Sequence, residues 1–265
     1  MNMASTSGAA VNLLWTGGWD STFQLLRLLL IYRRPVTPFY LMDPTRPSTQ
    51  IELKTMQRIR DRLVKEYPQT GELLLPNRLF DVAELAADRQ IDDAFNRIVK
   101  HSFMGNQYAW LARFCRQYAI ADMELCIHRD DKAHAVVECF VSEKVQGDGY
   151  RTCRVDPAHA QTPQYTLFGA FSFPLLEVSK LDMAKIADEQ GWKPIMAMTW
   201  FCHRPRRNQQ PCGHCNPCLY TIEEGLGWRI PWSSRVTSSV YRIFVLPLKA
   251  PARAIIARLR GFHRD

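Results

Sequence analysis

The sequence has 265 residues, 46% of them hydrophobic and 23% charged, so it can bury one sizeable core with a small appendage. No apolar run approaches the roughly 20 residues of a membrane-spanning helix, and the polar start MNMASTSGAA lacks the features of a secretion signal. We therefore expect a cytoplasmic protein without a transmembrane segment. The net charge of +8 is concentrated in residues 226–265, which carry eight Arg and Lys residues against one Asp.

Apolar runs alternate with segments of helical period, which predicts an α/β fold with an open, mostly parallel sheet and helices on both faces. Predicted strands lie at VNLLW (11–15), TPFYLMD (37–43), DMELCIH (122–128) and FSFPLLEV (171–178). Predicted helices cover about 20–33, 48–67, 106–119, 131–146 and 179–191, the last with Ser179 as its N-cap. Residues 147–170 contain several Gly and Pro residues and are predicted to form a long loop.

The heptapeptide TGGWDST (16–22) joins the first predicted strand to the first predicted helix. Its two glycines allow a ligand to approach the backbone closely, and the N–H groups of a helix start attract anions. Asp20 would repel a phosphate unless it caps backbone groups or coordinates a metal. The alternative is an ordinary Gly-Gly turn with an Asp/Ser helix cap. Hydroxyl donors come from Thr16, Ser21 and Thr22.

Four of the eight cysteines are clustered with the spacing C-x9-C-x2-C-x2-C. Four thiolates at this spacing can close a tetrahedral Zn²⁺ site, and such a closed site is structural because no position stays open for catalysis. His203 and His214 lie inside the cluster and are alternative ligands. The predicted metal ligands are Cys202, Cys212, Cys215 and Cys218.

The other four cysteines are scattered singly along the chain. Cys115 and Cys139 fall on predicted helices and are expected in the core. Cys126 lies near the end of a predicted strand, where either a reactive role or plain packing is open.

The TGGWDST loop resembles the pyrophosphate loop of the N-type ATP pyrophosphatases, the PP-loop superfamily with an adenine nucleotide alpha hydrolase-like fold. Thr16 replaces the first Ser of the motif Ser-Gly-Gly-x-Asp-Ser and keeps its hydroxyl. Members of that superfamily hold the pyrophosphate of ATP, adenylate an oxygen of their substrate, and let a nucleophile displace AMP.

Taken with further motifs, the chain resembles the 7-cyano-7-deazaguanine synthase (QueC-like) family over about residues 11–225. The strongest of these are FPLLEVSKLDM (173–183) and the cysteine knuckle CGHCNPC (212–218), and weaker ones are GNQY (105–108) and MDPTRPSTQIEL (42–53). This family serves queuosine biosynthesis. ATP activates the carboxylate of 7-carboxy-7-deazaguanine, ammonia forms the amide, and further ATP-driven dehydration gives the nitrile.

The resemblance implies roles for particular residues. Asp20, Ser21 and Lys180 would be catalytic, with Lys180 on the phosphate side, although a solvated helix-start lysine is the alternative there. The knuckle would hold Zn²⁺. The residues implied to bind ATP and Mg²⁺ are Thr16, Gly17, Gly18, Trp19, Asp20, Ser21, Thr22, Asp43, Arg46, Gly105 and Asn106.

One departure from the family affects the substrate. The family's Tyr-Pro-Asp-Cys stretch is replaced by HRDDKAH (128–134), so the residues that would recognise the base cannot be transferred. We therefore expect an adenylating ligase that acts on a deazapurine-like carboxylate with ammonia or an amine. The alternatives are a relative that modifies another acceptor, such as a tRNA base or a protein amine, and a non-catalytic scaffold.

The chain is predicted to comprise a disordered start (1–10), an ATP-binding α/β domain (11–200), a zinc-binding subdomain (201–225) and a basic tail (226–265). A short basic helix is expected after Pro251. It would either pack on its own domain or on a second copy in a homodimer, or dock on a polyanion: nucleic acid, an acidic protein or an anionic membrane.

Overall fold

The computed structural model describes residues 9–146 and 148–245. They fall into two compact units, the first containing the residues up to Thr45 and Thr49–Trp200, and the second containing Arg46–Ser48 and the residues from Phe201 onward. The helix predicted after Pro251 and most of the predicted disordered start lie outside the described residues.

The first unit is built on a seven-stranded sheet with the order β3–β2–β1–β4–β7–β6–β5. All pairs from β3 to β7 are parallel, and β6 pairs antiparallel with both of its neighbours. This confirms the predicted α/β class with its mostly parallel sheet. The strands are β1 (Val11–Leu14), β2 (Val36–Met42), β3 (Arg78–Asp81), β4 (Met123–Glu124), β5 (Val141–Val145), β6 (Arg151–Val155) and β7 (Phe171–Phe173).

Nine helices of the first unit and two of the second are described. They are α1 (Trp19–Leu26), α2 (Thr49–Glu66), α3 (Thr70–Leu73), α4 (Arg89–Val99), α5 (Gln107–Gln117), α6 (His134–Val137), α7 (Pro163–Phe168), α8 (Lys180–Glu189), α9 (Lys193–Met196), α10 (Asn216–Glu223) and α11 (Trp232–Val240). Arg27–Ile31 and Tyr241–Val245 continue α1 and α11 as π-helical segments. Within the described residues, no helix has the length and apolarity needed to cross a bilayer.

The strand order reverses beside β1. The chain runs outward from β1 to β2 and β3, and then returns to the other side of β1 with β4, so that Leu13 is the register partner of both Pro38 and Glu124. Because crossovers between parallel strands are right-handed, this reversal puts the connecting helices on opposite faces of the sheet. It also opens a crevice at the carboxyl ends of β1 and β4, where α/β proteins bind ligands.

The core explains why α1 and the central strands form where they do. Trp15, Phe23 and Leu25 have no exposed surface, and seven of the eight residues of α1 are buried. A helix that is buried on nearly all sides, including at Ser21, Thr22 and Gln24, is enclosed by the elements around it. The first turn of α1 is therefore held in a fixed place above the sheet.

Three sequence-based predictions were wrong. Cys139, expected in the core, is exposed, because the long helix that was predicted to carry it ends after α6. Residues 131–146, predicted to be helical, form only the short helix α6 and then strand β5. Residues 147–170, predicted to be a loop, contain β6 and α7. The β-branched valines of 141–145 are compatible with a strand as well as with a helix. Here β5 forms an antiparallel hairpin with β6, in which Val141 pairs with Val155 and Val145 with Arg151.

Candidate functional site

The loop that follows β1 is shaped by its two glycines. Gly17 has a φ of +68°, and a Cβ there would lie 3.1 Å from Met56 Cγ, so a larger residue would be strained and would press on Met56. The Gly17 carbonyl accepts a hydrogen bond from the backbone N–H of Trp200 (2.9 Å). Gly18 is the N-cap of α1, and the N–H groups of the first turn have no acceptor within the helix. The glycine turn and the helix start are therefore present where the sequence predicted them, and anion binding there remains a prediction.

Asp20 lies in the first turn of α1 and faces two basic groups from neighbouring loops. Its Oδ1 is 3.8 Å from Nε2 of His128, and its Oδ2 is 3.9 Å from Nζ of Lys180. Oδ1 is buried and has no hydrogen bond within the described part of the chain. The chain therefore brings two of its three predicted catalytic residues, Asp20 and Lys180, to one place.

His128 is almost completely buried and held in one orientation by its own loop. The backbone N–H of Asp130 donates to Nδ1 of His128 (3.2 Å), so a neutral imidazole carries its proton on Nε2, the nitrogen that faces Asp20. The carboxylate of Asp130 accepts the backbone N–H of Lys180 (2.9 Å). Loop 128–131 and the start of α8 are thus fixed to each other beside the crevice.

The start of α8 is also locally determined. Ser179 and Asp182 form a reciprocal capping box, which confirms Ser179 as the N-cap. Hydrogen bonding to Ser179 lowers the pKa of the Asp182 carboxyl, so the cap is ionised over the neutral range. Lys180 is the first residue after this cap, and its side chain is only 14% exposed. This position directs a cation at the crevice rather than into solvent.

A buried polar network joins α1 to β4 below the crevice. Nε2 of Gln24 donates to Glu124 Oε2 (2.8 Å) and to the hydroxyl oxygen of Tyr150 (2.6 Å), and that hydroxyl donates to the other oxygen of Glu124. Burial raises the pKa of Glu124 to about 7, although Tyr150 and Gln24 oppose the shift. The network fixes the relative position of the helix that carries Asp20 and the strand that leads to His128.

The other predicted residues of the loop differ in exposure. Thr16 is exposed, and its Oγ1 accepts the N–H of Gly18 (3.3 Å). The hydroxyl of Ser21 accepts the N–H of Thr16 (3.4 Å). Thr22 is buried, and its hydroxyl accepts Nε1 of Trp15 (3.0 Å). Trp19 is buried as well. Of these side chains, only that of Thr16 faces solvent, and the binding roles of all four remain predictions.

The predicted nucleotide residues outside the loop are spread over several elements. Asp43 follows β2, and its carboxylate accepts both the N–H and the hydroxyl of Thr45 (2.9 and 2.6 Å). Arg46 belongs to the second unit. Gly105 and Asn106 precede α5, whose Tyr108 donates its hydroxyl to Asp131 (3.5 Å). Burial raises the pKa of Tyr108 well above its usual range, so the hydroxyl stays a donor. Binding of a nucleotide by these residues remains a prediction.

Cys126 lies between Glu124 and His128 but is poorly suited to act as a nucleophile. Burial raises the pKa of its thiol well above the usual range, and the charges of Glu124 and Asp20 add to the shift. A reactive cysteine needs surroundings that favour the thiolate. The structure therefore favours packing over reactivity for Cys126.

Asp20 fits the requirements of a Mg²⁺ ligand. Mg²⁺ binds through one or two carboxylates together with substrate phosphates. A buried carboxylate oxygen without a hydrogen bond, next to backbone N–H groups that attract phosphate, has this donor chemistry. Lys180 then supplies positive charge beside Asp20, and Nε2 of His128 faces the same carboxylate.

The four clustered cysteines of the second unit meet at one point. Their sulfur atoms all lie within 4.8 Å of one another. The distances are 3.9 Å for Cys212–Cys218, 3.8 Å for Cys202–Cys215 and 3.4 Å for Cys215–Cys218. Thiolates that each lie about 2.3 Å from one tetrahedral Zn²⁺ are about 3.8 Å apart. The cluster therefore fits a single metal ion, and the predicted knuckle is present.

Backbone groups support the cysteine cluster as they do in metal knuckles. The N–H groups of His214 and Cys215 point at the sulfur of Cys212 (3.5 and 3.3 Å), and the N–H of Cys212 points at the sulfur of Cys202 (3.2 Å). Such donors stabilise thiolate charge. The ring of His214 contacts the carbonyl oxygen of Cys212 (3.2 Å). Among the described residues, the side-chain group that could hold a metal ion consists of the four cysteines without a histidine.

His128 and Asp130 were not assigned to the site from the sequence. The stretch HRDDKAH was noted there only as a departure from the family. Their position in the chain does indicate a site. A His and two acidic residues follow a central strand of the parallel sheet, and ligands bind at the carboxyl ends of such strands.

Comparison with known proteins identifies one family. Residues 158–225 match the family model described as queuosine biosynthesis protein QueC. Over this segment the chain resembles QueC proteins. The match contains Lys180 and all four clustered cysteines but not the loop at 16–22, and it confirms the resemblance drawn from the sequence.

The chain is also similar to a solved structure, described as the U34-tRNA thiolase NcsA from Methanococcus maripaludis with its [4Fe-4S] cluster. The TM-score is 0.39 and the identity 13%, over 88% of this chain and 71% of the other. A similarity of this size carries no information about chemistry. The search of curated proteins gave no match.

Proposed function

We propose that this QueC-like chain is an ATP-dependent ligase that adenylates the carboxylate of a 7-deazapurine-like substrate and lets ammonia or an amine displace AMP. The observation that carries the proposal is the grouping of Asp20, His128 and Lys180 at the glycine-shaped start of α1. The QueC match over residues 158–225 supports the substrate class.

The chemistry begins with ATP held by its pyrophosphate. In this proposal the backbone N–H groups of the first turn of α1 and the exposed hydroxyl of Thr16 contact the β- and γ-phosphates. The ammonium group of Lys180 neutralises the charge that develops on the leaving pyrophosphate. Asp20 would hold Mg²⁺, which supplies charge neutralisation to the phosphates when it is bound.

Two bond exchanges then follow. The substrate carboxylate oxygen attacks the α-phosphorus, the bond to the bridging oxygen breaks, and pyrophosphate leaves. Ammonia next attacks the activated carbonyl carbon, the bond to the AMP oxygen breaks, and one proton is released from nitrogen. In this proposal His128 lies beside the carboxylate of Asp20 during both exchanges, with Nε2 facing Oδ1 at 3.8 Å.

We also propose that the ion in the cysteine cluster is Zn²⁺. The close spacing of the sulfurs supports this assignment, because a cluster of several iron atoms needs its thiolates further apart than one ion does. A closed set of four thiolates leaves no position for substrate, so the ion would be structural.

Another acceptor is the main alternative. Thiolation of a tRNA base would need an activated cysteine, and the raised pKa of Cys126 speaks against that version. A protein amine as acceptor would leave the adenylation step unchanged and differ only in the second exchange.

The test measures products and a matched pair of variants. Full-length protein with Mg²⁺, ATP, 7-carboxy-7-deazaguanine and ammonium should release AMP and pyrophosphate. Asp20→Asn should lower kcat/KM by about a hundredfold or more, because loss of one charge-stabilising group has effects of this size. Asp92→Asn is the control, since Asp92 also lies in the first turn of a helix, α4, and pairs with Arg113 (3.8 Å).

The expected outcome is AMP release that depends on Asp20 and not on Asp92. Release of ADP and phosphate would contradict the proposal, and so would full activity of the Asp20→Asn variant. AMP release with an amine-bearing protein or bulk tRNA, but not with the deazapurine, would overturn the substrate class alone.

A further inference from the structure

The last described helix exposes large apolar side chains along one side. In α11, Trp232, Val236 and Val240 follow one another at intervals of four residues and are 74%, 44% and 51% exposed. In the π-helical segment that follows, Ile243 and Phe244 are each 65% exposed. We call these five residues the apolar stripe. A contiguous row of this kind on a surface marks an interaction site.

The opposite side of α11 is small and polar. Ser234 and Ser238 are buried, and the hydroxyl of Ser234 donates to the carbonyl of Pro211 (2.6 Å). A Cβ on Gly213 would lie 2.1 Å from the carbonyl oxygen of Ser234, so the helix packs closely on the cysteine knuckle. The serines fix the helix to its own unit, and this packing leaves the apolar stripe outside.

The helical segment that carries the stripe, residues 232–245, contains two arginines and no acidic residue. These are Arg235 and Arg242. Arg242 lies 3.8 Å from Glu223, and because both side chains are exposed to solvent this ion pair is weak. The charge of Arg242 therefore stays largely available to another partner. Beyond the described residues, the sequence adds five further cations against the single acid Asp265: Lys249, Arg253, Arg258, Arg260 and Arg264. Aliphatic and aromatic side chains thus lie within a segment of strong positive charge.

We propose that the apolar stripe, together with Arg235 and Arg242 of the same helical segment, docks on an anionic lipid bilayer surface, with α11 lying in the interface. Trp, Val and Phe on one side and Arg on the same segment are the composition of an interfacial helix. A second copy of the chain would bring like charges together, which opposes a symmetric contact. A nucleic acid would contact the arginines but leave the aliphatic residues without a partner.

The test is sedimentation of full-length protein with vesicles. Vesicles of phosphatidylcholine with one third phosphatidylglycerol should bind the protein, and pure phosphatidylcholine vesicles should bind it much more weakly. Val236→Asp should reduce partitioning roughly tenfold, because a carboxylate opposes both burial and the lipid charge. Val64→Asp is the matched control, since Val64 is a helix-surface valine of α2 with a similar exposure of 42%.

Trp232 gives an independent readout. Brominated lipid should quench part of the protein's tryptophan fluorescence, and Trp232→Phe should lose that part while still sedimenting with vesicles. Equal sedimentation of Val236→Asp and wild type would overturn the proposal, since binding would then be charge alone. Two further outcomes would overturn the proposal, both with a wild type that does not bind vesicles. If the wild type is a dimer and Val236→Asp is not, the stripe contacts a second copy of the chain. If the protein binds RNA and Val236→Asp leaves that binding unchanged, the cations contact nucleic acid.

Discussion

Glu124 is a carboxyl group enclosed in the centre of the sheet. It is 3% exposed, lies between β1 and β7 in the strand order, and is hydrogen-bonded by Gln24 and Tyr150. Its pKa of about 7 in the folded protein is above the 4.5 of an exposed Glu, because burial penalises the charged form. The folded chain therefore binds this proton more tightly than the unfolded chain does.

The raised pKa of Glu124 predicts a pH-dependent stability. Its contribution is fully present below about pH 4.5 and is lost as the pH rises to about 7. The free energy of unfolding of the wild type should fall through this window by up to roughly 3 kcal/mol relative to Glu124→Gln. Urea unfolding of both proteins between these pH values measures the difference.

Tyr150→Phe sharpens this test. The hydroxyl of Tyr150 opposes the rise in the pKa of Glu124, so its removal should raise that pKa further and extend the window to higher pH. Parallel pH profiles for the wild type and Glu124→Gln would contradict the argument.

Gly17 gives a second prediction for a single residue. Gly17→Ala should lower the free energy of unfolding by about 1 kcal/mol for the positive φ, and further for the Cβ placed against Met56 and Thr55. Gly149→Ala is the control, since Gly149 has a φ of +80° but no atom within 4 Å of its Cβ position. Urea unfolding should show a larger loss for Gly17→Ala. Equal losses would mean that the crowding at Gly17 has no effect.

The cysteine knuckle and helices α10 and α11 form the element whose stability should depend on metal. We expect about one zinc per chain, and Cys212→Ser should lose the metal together with helical circular dichroism, because structural zinc contributes to folding directly. Cys139→Ser, at an exposed cysteine, should keep both. Metal analysis that finds iron, with the visible absorption of an iron–sulfur cluster, would contradict zinc.

At the level of elements, the sequence predicted secondary structure best where a pattern of apolar residues or a helix cap was compatible with a single type of element. Strand β1 and helices α1, α2, α5 and α8 were predicted to within about two residues, because buried apolar runs and a Ser179 cap leave few alternatives. The hairpin of β5 and β6 was missed because its stability comes from pairing between the two strands, from Val145 with Arg151 to Val141 with Val155, which local patterns do not contain.

The same limit applies to the site. Glycine spacing and a helix start identified the loop at 16–22, and cysteine spacing identified the knuckle. The approach of His128 to Asp20 depends on β4 lying next to β1, and that neighbour relation exists only in the assembled sheet. The network likewise joins Gln24 to Glu124 and Tyr150, which lie 100 and 126 positions further along the chain.

At the scale of the whole molecule, the hairpin also decides how the sheet ends. Without it, β7 would be an edge strand with the buried sequence Phe-Ser-Phe, and apolar edges of this kind recruit strands from other chains. The hairpin covers β7, and its outer strand β5 presents Glu143 and Lys144 to solvent instead. The opposite edge is the four-residue strand β3. Because one edge strand is charged and the other is short, we expect the protein to resist intermolecular β-aggregation at high concentration.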